Sequence, residues 1–181
     1  NSKIIFTVLL EDPNENIYPK FDTQYLSLNP FGSNMYFIPQ KAVTCLGETM
    51  LSTAKAIIIS GAYGHVSERK DLDECFKIIN NVMALPKNWT ENEEKTRVVG
   101  FCFAFQKQLT LLGGKIDGDL GKFKQYIKKQ YFTNDPDKEI RLYMAHQYFT
   151  LEAPQSDKYS IILSSNDMPN LGFLCSKGTG L

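Results

Sequence analysis

The sequence predicts an α+β fold dominated by helices, about five of them over residues 41–150, with short strands at both ends closing a small sheet. Three observations carry this expectation. Apolar residues recur at helical spacing through the middle of the chain. Glycine, proline and acidic residues punctuate that pattern at intervals of a helix length. Both ends carry β-branched runs bounded by turn formers. The chain has 181 residues, 43% hydrophobic and 22% charged, enough for a sizeable core and typical of a globular domain. It divides into a β/loop segment (1–40), a helical core (41–150) and a hairpin tail (151–181). The first residues are Asn1-Ser2, without methionine, so the chain reads as a domain excised from a larger protein.

Each element has its own signal. "KIIFTVLL" (3–10) is a β-branched apolar run and reads as a buried strand, closed by "EDPNENIYP". "TQYLSL" and "NMYFIP" follow as short strands. Val43, Leu46, Met50, Ala54, Ile57 and Ile58 then form a helical stripe that includes Cys45, stopped at Gly61. Leu72, Cys75, Phe76, Ile79, Val82 and Met83 form a second stripe, closed by Pro86. Thr90-Glu-Asn-Glu93 fits a capping box for a third helix carrying Val98, Cys102, Phe105, Leu109 and Leu112. Asp117 caps a fourth, with Leu120, Phe123, Ile127 and Tyr131 inward, and "NDPDKE" opens a fifth through Ile140, Tyr143, Met144 and Gln147. "KYSIILSS" and "LGFLCS" around "NDMPN" read as a C-terminal hairpin, expected to pair with the N-terminal strand in one sheet.

Composition excludes several classes of function. Twenty basic residues balance twenty acidic ones, so no global field favours nucleic acid. Only three basic residues are arginine (Arg69, Arg97, Arg141), which makes bidentate anion clamps scarce. No apolar run is long enough to cross a bilayer. Cys45, Cys75, Cys102 and Cys175 form no C-x-x-C pair, which argues against a zinc ribbon and for a reducing compartment, the cytoplasm or a host cytosol. "GGKIDGDLGK" has neither the spacing of a phosphate-binding loop nor the acids of a calcium loop. No cofactor is expected.

Four groups of residues are candidates for chemistry. Cys45 lies in the first turns of a predicted helix, where the dipole lowers a thiol pKa. His146 or His65 could serve as its base, with Asp157 or Asn166 orienting the imidazole. Against this, Cys45 shares the apolar stripe of its helix, and His146 sits among aromatics where histidines satisfy core hydrogen bonds. His65 lies on an exposed connection, where functional residues concentrate. Lys122, Lys124, Lys128 and Lys129 form a basic run that could meet an acidic protein or an anionic lipid surface. Phe123, Ile127 and Tyr131 are expected on the core face of that helix, leaving the lysines as its solvated back.

The absence of recognisable catalytic motifs makes a protein-interaction domain without catalysis the leading expectation, as part of a larger, effector-like bacterial protein. The alternative is a cysteine-dependent hydrolase or transferase using Cys45 with His146 or His65.

Overall fold

A computed structural model describes residues 4–11, 34–84, 96–152 and 159–175. Continuous apolar runs suit strands covered on both faces, and the first sheet is built from such runs. Its strands are β1 (Ile4–Leu9), β2 (Asn34–Pro39), β3 (Ala56–Ile59) and β4 (Arg97–Gly100), in the order β2-β1-β3-β4, with every pair parallel. Three helices accompany it: α1 (Gln40–Leu51), α2 (Asp73–Ala84) and α3 (Phe103–Leu111). Val8, Leu51, Ile57, Ile59, Leu72, Phe76, Ile79, Phe103 and Leu109 are fully buried and belong to one apolar cluster. Each such side chain contributes about 1.5–3 kcal/mol relative to exposure.

The second sheet is antiparallel. Its strands are β5 (Gly118–Phe132), β6 (Asp135–Phe149), β7 (Tyr159–Ser164) and β8 (Gly172–Cys175), ordered β6-β5-β7-β8. The β5–β6 hairpin shifts register between Asp119 and Lys124, beside Gly121 at φ +77°. Such bulges re-aim side chains. Tyr148 and Ile161 from this sheet pack against the core of the first.

The predominantly helical expectation is therefore corrected: the described residues hold three helices and two sheets, an α/β architecture. α2 forms as read. The first predicted helix ends at Leu51, and Ile57 and Ile58 belong to β3. The third begins only at Phe103, with Val98 in β4, and its proposed cap at Thr90 lies outside the described residues. The fourth and fifth are the two strands of a hairpin. Phe123, Ile127 and Tyr131 are four residues apart, a spacing that marks one side of a helix and equally one face of a strand. Aromatic and β-branched enrichment decides for the strand. "NMYFIP", "KYSIILSS" and "LGFLCS" form strands as expected, while "TQYLSL" lies outside the described residues. The two ends of the chain do not share a sheet: β1 lies inside the parallel sheet, and β7 and β8 pair beside β5.

Candidate active site

The parallel strand β4 leads directly into α3 through Phe101 and Cys102. To turn that sharply, Cys102 adopts φ +50° and ψ −111°, a region that L-residues avoid and that concentrates at functional positions. The close approach requires small neighbours. A Cβ on Gly100 would lie 2.2 Å from Gln108 Oε1 and 3.0 Å from the Phe105 nitrogen. Ala104, two residues after Cys102, is fully buried. Gly100-Phe101-Cys102-Phe103-Ala104 thus has the form of a nucleophile elbow, with a thiol displayed where a strand turns into a helix.

Cys102 is half-buried and faces a cavity of about 120 Å³. Ala62, Tyr63 and Gly64 from the loop after β3, Gln106 from α3, and Phe123, His146, Gln147 and Tyr148 from the β5–β6 hairpin complete its lining. The site lies beyond the carboxyl ends of adjacent parallel strands, the usual place for a site in an open α/β sheet. Gly61 brings the β3 loop against the elbow, since a Cβ there would sit 3.5 Å from Cys102 Cβ. Burial raises the Cys102 pKa, and a bond from the Phe103 backbone N–H opposes that rise. Phe103 is the first residue of α3, so its N–H has no acceptor within the helix and can serve a negative charge on the adjacent group.

Buried polar contacts fix the walls of the cavity. His146 Nδ1 lies 2.8 Å from the Tyr148 carbonyl oxygen and Nε2 lies 2.5 Å from Tyr126 Oη. A carbonyl only accepts, so Nδ1 carries the proton and Nε2 accepts from the tyrosine. Burial raises the Tyr126 pKa, with Asp167 adding to the effect, so this hydroxyl stays a donor at neutral pH. Gln106 Nε2 also donates to the Tyr148 oxygen at 2.5 Å, tying the hairpin to α3 one turn beyond Cys102. Lys107, 4% exposed, donates to the Val66 carbonyl at 3.2 Å and pairs with Asp73 at the start of α2. Arg69 binds both carboxylate oxygens of Asp71 and the Glu11 carbonyl.

The residues singled out from sequence fall in several places. Cys45 is exposed on α1, away from the apolar stripe to which it was assigned, and is not part of the Cys102 cavity. Cys75 is buried, and its thiol pKa is pushed up to about 12. His146 is in the cavity wall, on β6 rather than mid-helix. His65 stands behind that wall: its ring meets Tyr148 edge-on at 4.9 Å, Nε2 donates to the Ile116 carbonyl, and Nδ1 accepts from the Ser67 N–H. It caps the 3₁₀ turn Val66–Glu68, so the expected connection is a structured one. Asp157 lies outside the described residues. Asn166 lines a separate cavity with Lys128, Lys129 and Asp167.

The lysines sit on a strand, and two already have anionic partners: Lys128 with Asp167, and Lys129 with Glu139. Ile127 is 71% exposed, which corrects its placement on a core face. Among the described residues no three His, Cys, Asp or Glu side chains converge to hold a metal ion, and no helix is long and apolar enough to cross a membrane. Sequence reading missed Cys102 as a site residue. Its signal was the run "RVVGFCFA", a β-branched strand followed by small residues two before and two after a cysteine.

Fold and site together define an α/β architecture with a thiol at a strand–helix elbow. Among solved structures with this fold is a protein assigned as a GMP synthase component from Thermoplasma acidophilum, matching with a TM-score of 0.64 and 13% identity over 97% of this chain and 80% of its own. A glutamine amidotransferase from Thermotoga maritima matches with a TM-score of 0.61 and 12% identity, over 98% of this chain and 74% of its own. No protein-family model and no curated protein matches the sequence. The likeness is one of fold. Both neighbours carry enzyme descriptions, so the expectation of a non-catalytic interaction domain is set aside.

Proposed function

We propose that the chain is a cysteine-dependent amide hydrolase or amidotransferase domain whose nucleophile is Cys102 rather than Cys45. The observation that carries this reading is the backbone of Cys102, held at φ +50° between β4 and α3 with the side chain on a cavity. Strain of this kind persists only where the surrounding structure over-determines it. Here it presents sulfur to a pocket beside the Phe103 N–H, which has no acceptor within α3. Glutamine amidotransferase is the activity in the description of one structural neighbour, and a side-chain carboxamide is a substrate of the right size for this cavity.

In the proposed reaction the Cys102 thiolate attacks the carboxamide carbon, forming a C–S bond while the carbonyl electrons move to oxygen. The Phe103 N–H stabilises that oxygen. The C–N bond of the tetrahedral adduct then breaks, the nitrogen leaves as ammonia carrying the proton given up by the Cys102 thiol, and water hydrolyses the remaining thioester to the acid and returns the thiol. His146 shapes the wall through its contacts with Tyr126 and the Tyr148 carbonyl. Both its ring nitrogens are engaged, so in this arrangement it orients the pocket and does not take the thiol proton. A reducing compartment would keep Cys102 as the free thiol the reaction needs.

The test is ammonia release from glutamine by the purified chain and by Cys102→Ala and Cys45→Ala variants. Release abolished by the first substitution and retained by the second supports the assignment. Equal release from wild type and Cys102→Ala would refute it. Active-site labelling by a glutamine-like chloroketone, located by peptide mass, reads the nucleophile directly when turnover is slow.

A further inference from the structure

Tyr63 and Phe123 are contributed by different elements, yet their rings meet in the lining of the Cys102 cavity. Tyr63 belongs to the loop after β3 and Phe123 to the β5 strand. The centroids are 5.4 Å apart with the planes at 65°, an edge-to-face arrangement. Both rings line the cavity that holds Cys102. Core packing accounts for neither, since Tyr63 is 76% exposed and Phe123 39% exposed.

The local backbone is built to aim them. Phe123 lies inside the register shift between Asp119 and Lys124, two residues after Gly121 at φ +77°. Tyr63 precedes Gly64 at φ +94° and follows the Gly61 segment that rests against the elbow. Each ring thus sits next to a glycine whose conformation few other residues would adopt.

We propose that Tyr63 and Phe123 form an aromatic gate that sets the width of the acyl group admitted to Cys102. The gate passes a slender, unbranched chain ending in a carboxamide and turns away branched or aromatic acyl groups. The cavity, about 120 Å³, holds the liquid volume of roughly four waters, and the two rings that line it meet edge to face while both stay open to solvent. Its meaning for substrate choice rests on the assignment of Cys102 as nucleophile. The steric claim stands on ring geometry alone.

The experiment compares alkylation of Cys102 by iodoacetamide, a slender reagent, with alkylation by N-phenylmaleimide, a bulky one. The full chain is used in a Cys45→Ala background, and modification at Cys102 is read by peptide mass. Wild type, Tyr63→Ala, Phe123→Ala and Tyr63→Phe are compared. The gate predicts that either alanine variant raises the maleimide rate at least about ten-fold, the scale of a steric filter, while the iodoacetamide rate changes little. Tyr63→Phe keeps the ring and should keep the wild-type ratio. Parallel changes with both reagents, or no change with either, would overturn the gate and leave Cys102 as nucleophile. A Cys102 that reacts with neither reagent in any variant would overturn both. Tyr63 is exposed, so its alanine variant should fold and keeps the test decisive if Phe123→Ala does not.

Discussion

Replacing Cys102 by glycine should make the protein more stable than replacing it by alanine, an order that the N-cap position of α3 favours and the backbone strain enlarges. Alanine at this position keeps φ +50° and ψ −111°, which lies outside the small left-handed well as well as the main allowed regions. Holding an L-residue there costs about 1–3 kcal/mol. Glycine relieves that strain but raises the entropy of the unfolded chain, an offset of about 0.4–1 kcal/mol, and gives up part of a methyl group's burial, up to about 0.8 kcal/mol. The balance favours glycine by about 1 kcal/mol. For a chain of this length that corresponds to roughly 2–4 °C in Tm. Urea and thermal denaturation of the two variants side by side would measure it. Ala104→Gly provides the control of opposite sign, since Ala104 is buried in α3 and glycine there should lose about 1 kcal/mol. If the Cys102→Ala protein equals or exceeds Cys102→Gly in stability, the elbow is not strained and the main argument for a displayed nucleophile fails.

Three further outcomes follow from the same geometry. Removing the two partners of the Lys107–Asp73 pair should have unequal effects, because Lys107 is buried while the Asp73 side chain is about half exposed. Asp73→Ala strands a buried cation and should cost about 3 kcal/mol, whereas Lys107→Met leaves a carboxylate that water can solvate and should cost less, as denaturant midpoints would show. Tyr126→Phe takes the donor from His146 Nε2 and should cost about 1–3 kcal/mol for the unsatisfied buried nitrogen, a loss readable by chemical denaturation. Burial raises the Cys102 thiol pKa above the ordinary thiol range, so without substrate its alkylation rate should keep climbing through the pH range in which an exposed cysteine levels off. A rate that levels off below pH 8, followed by mass spectrometry, would contradict the burial described here.

How much of this was legible in the sequence depends on what each signal can distinguish. β1, β2, β7, β8 and α2 could be read because β-branched runs and an uninterrupted helical stripe each point to one period. The hairpin could not be read from spacing alone. Phe123, Ile127 and Tyr131 repeat every four residues, and four is both one helical turn and two strand repeats. β3 was hidden because Ile57 and Ile58 continue the phase of Met50 and Ala54, although the helix has already ended at Leu51. In the same way Cys102 falls in step with Val98 and Phe105, so it passed for one more core position on a helix.

The proposed choice of Cys102 over Cys45 turns on how little motif spacing alone can distinguish. A helix N-terminus favours a thiolate, and that argument selected Cys45. The same argument applies to any cysteine near any helix start, so it has little power to choose. A displayed nucleophile needs more than a dipole: the chain must turn so tightly that strand and helix nearly touch. That requirement leaves a mark in residue size, because the 2.2 Å approach of a Gly100 Cβ to Gln108 Oε1 admits nothing larger than glycine without rearrangement. Gly100 and Ala104 flank Cys102 at two residues on either side, whereas Cys45, itself exposed, is flanked by the buried Val43 and by Gly47. The other half of the site has no such local mark. His146, Tyr148 and Phe123 reach Cys102 only because the β5–β6 hairpin folds back over α3, secured where Gln106 and His146 share the Tyr148 carbonyl. That convergence depends on contacts more than forty residues apart in the chain, and no period or spacing in the sequence encodes it.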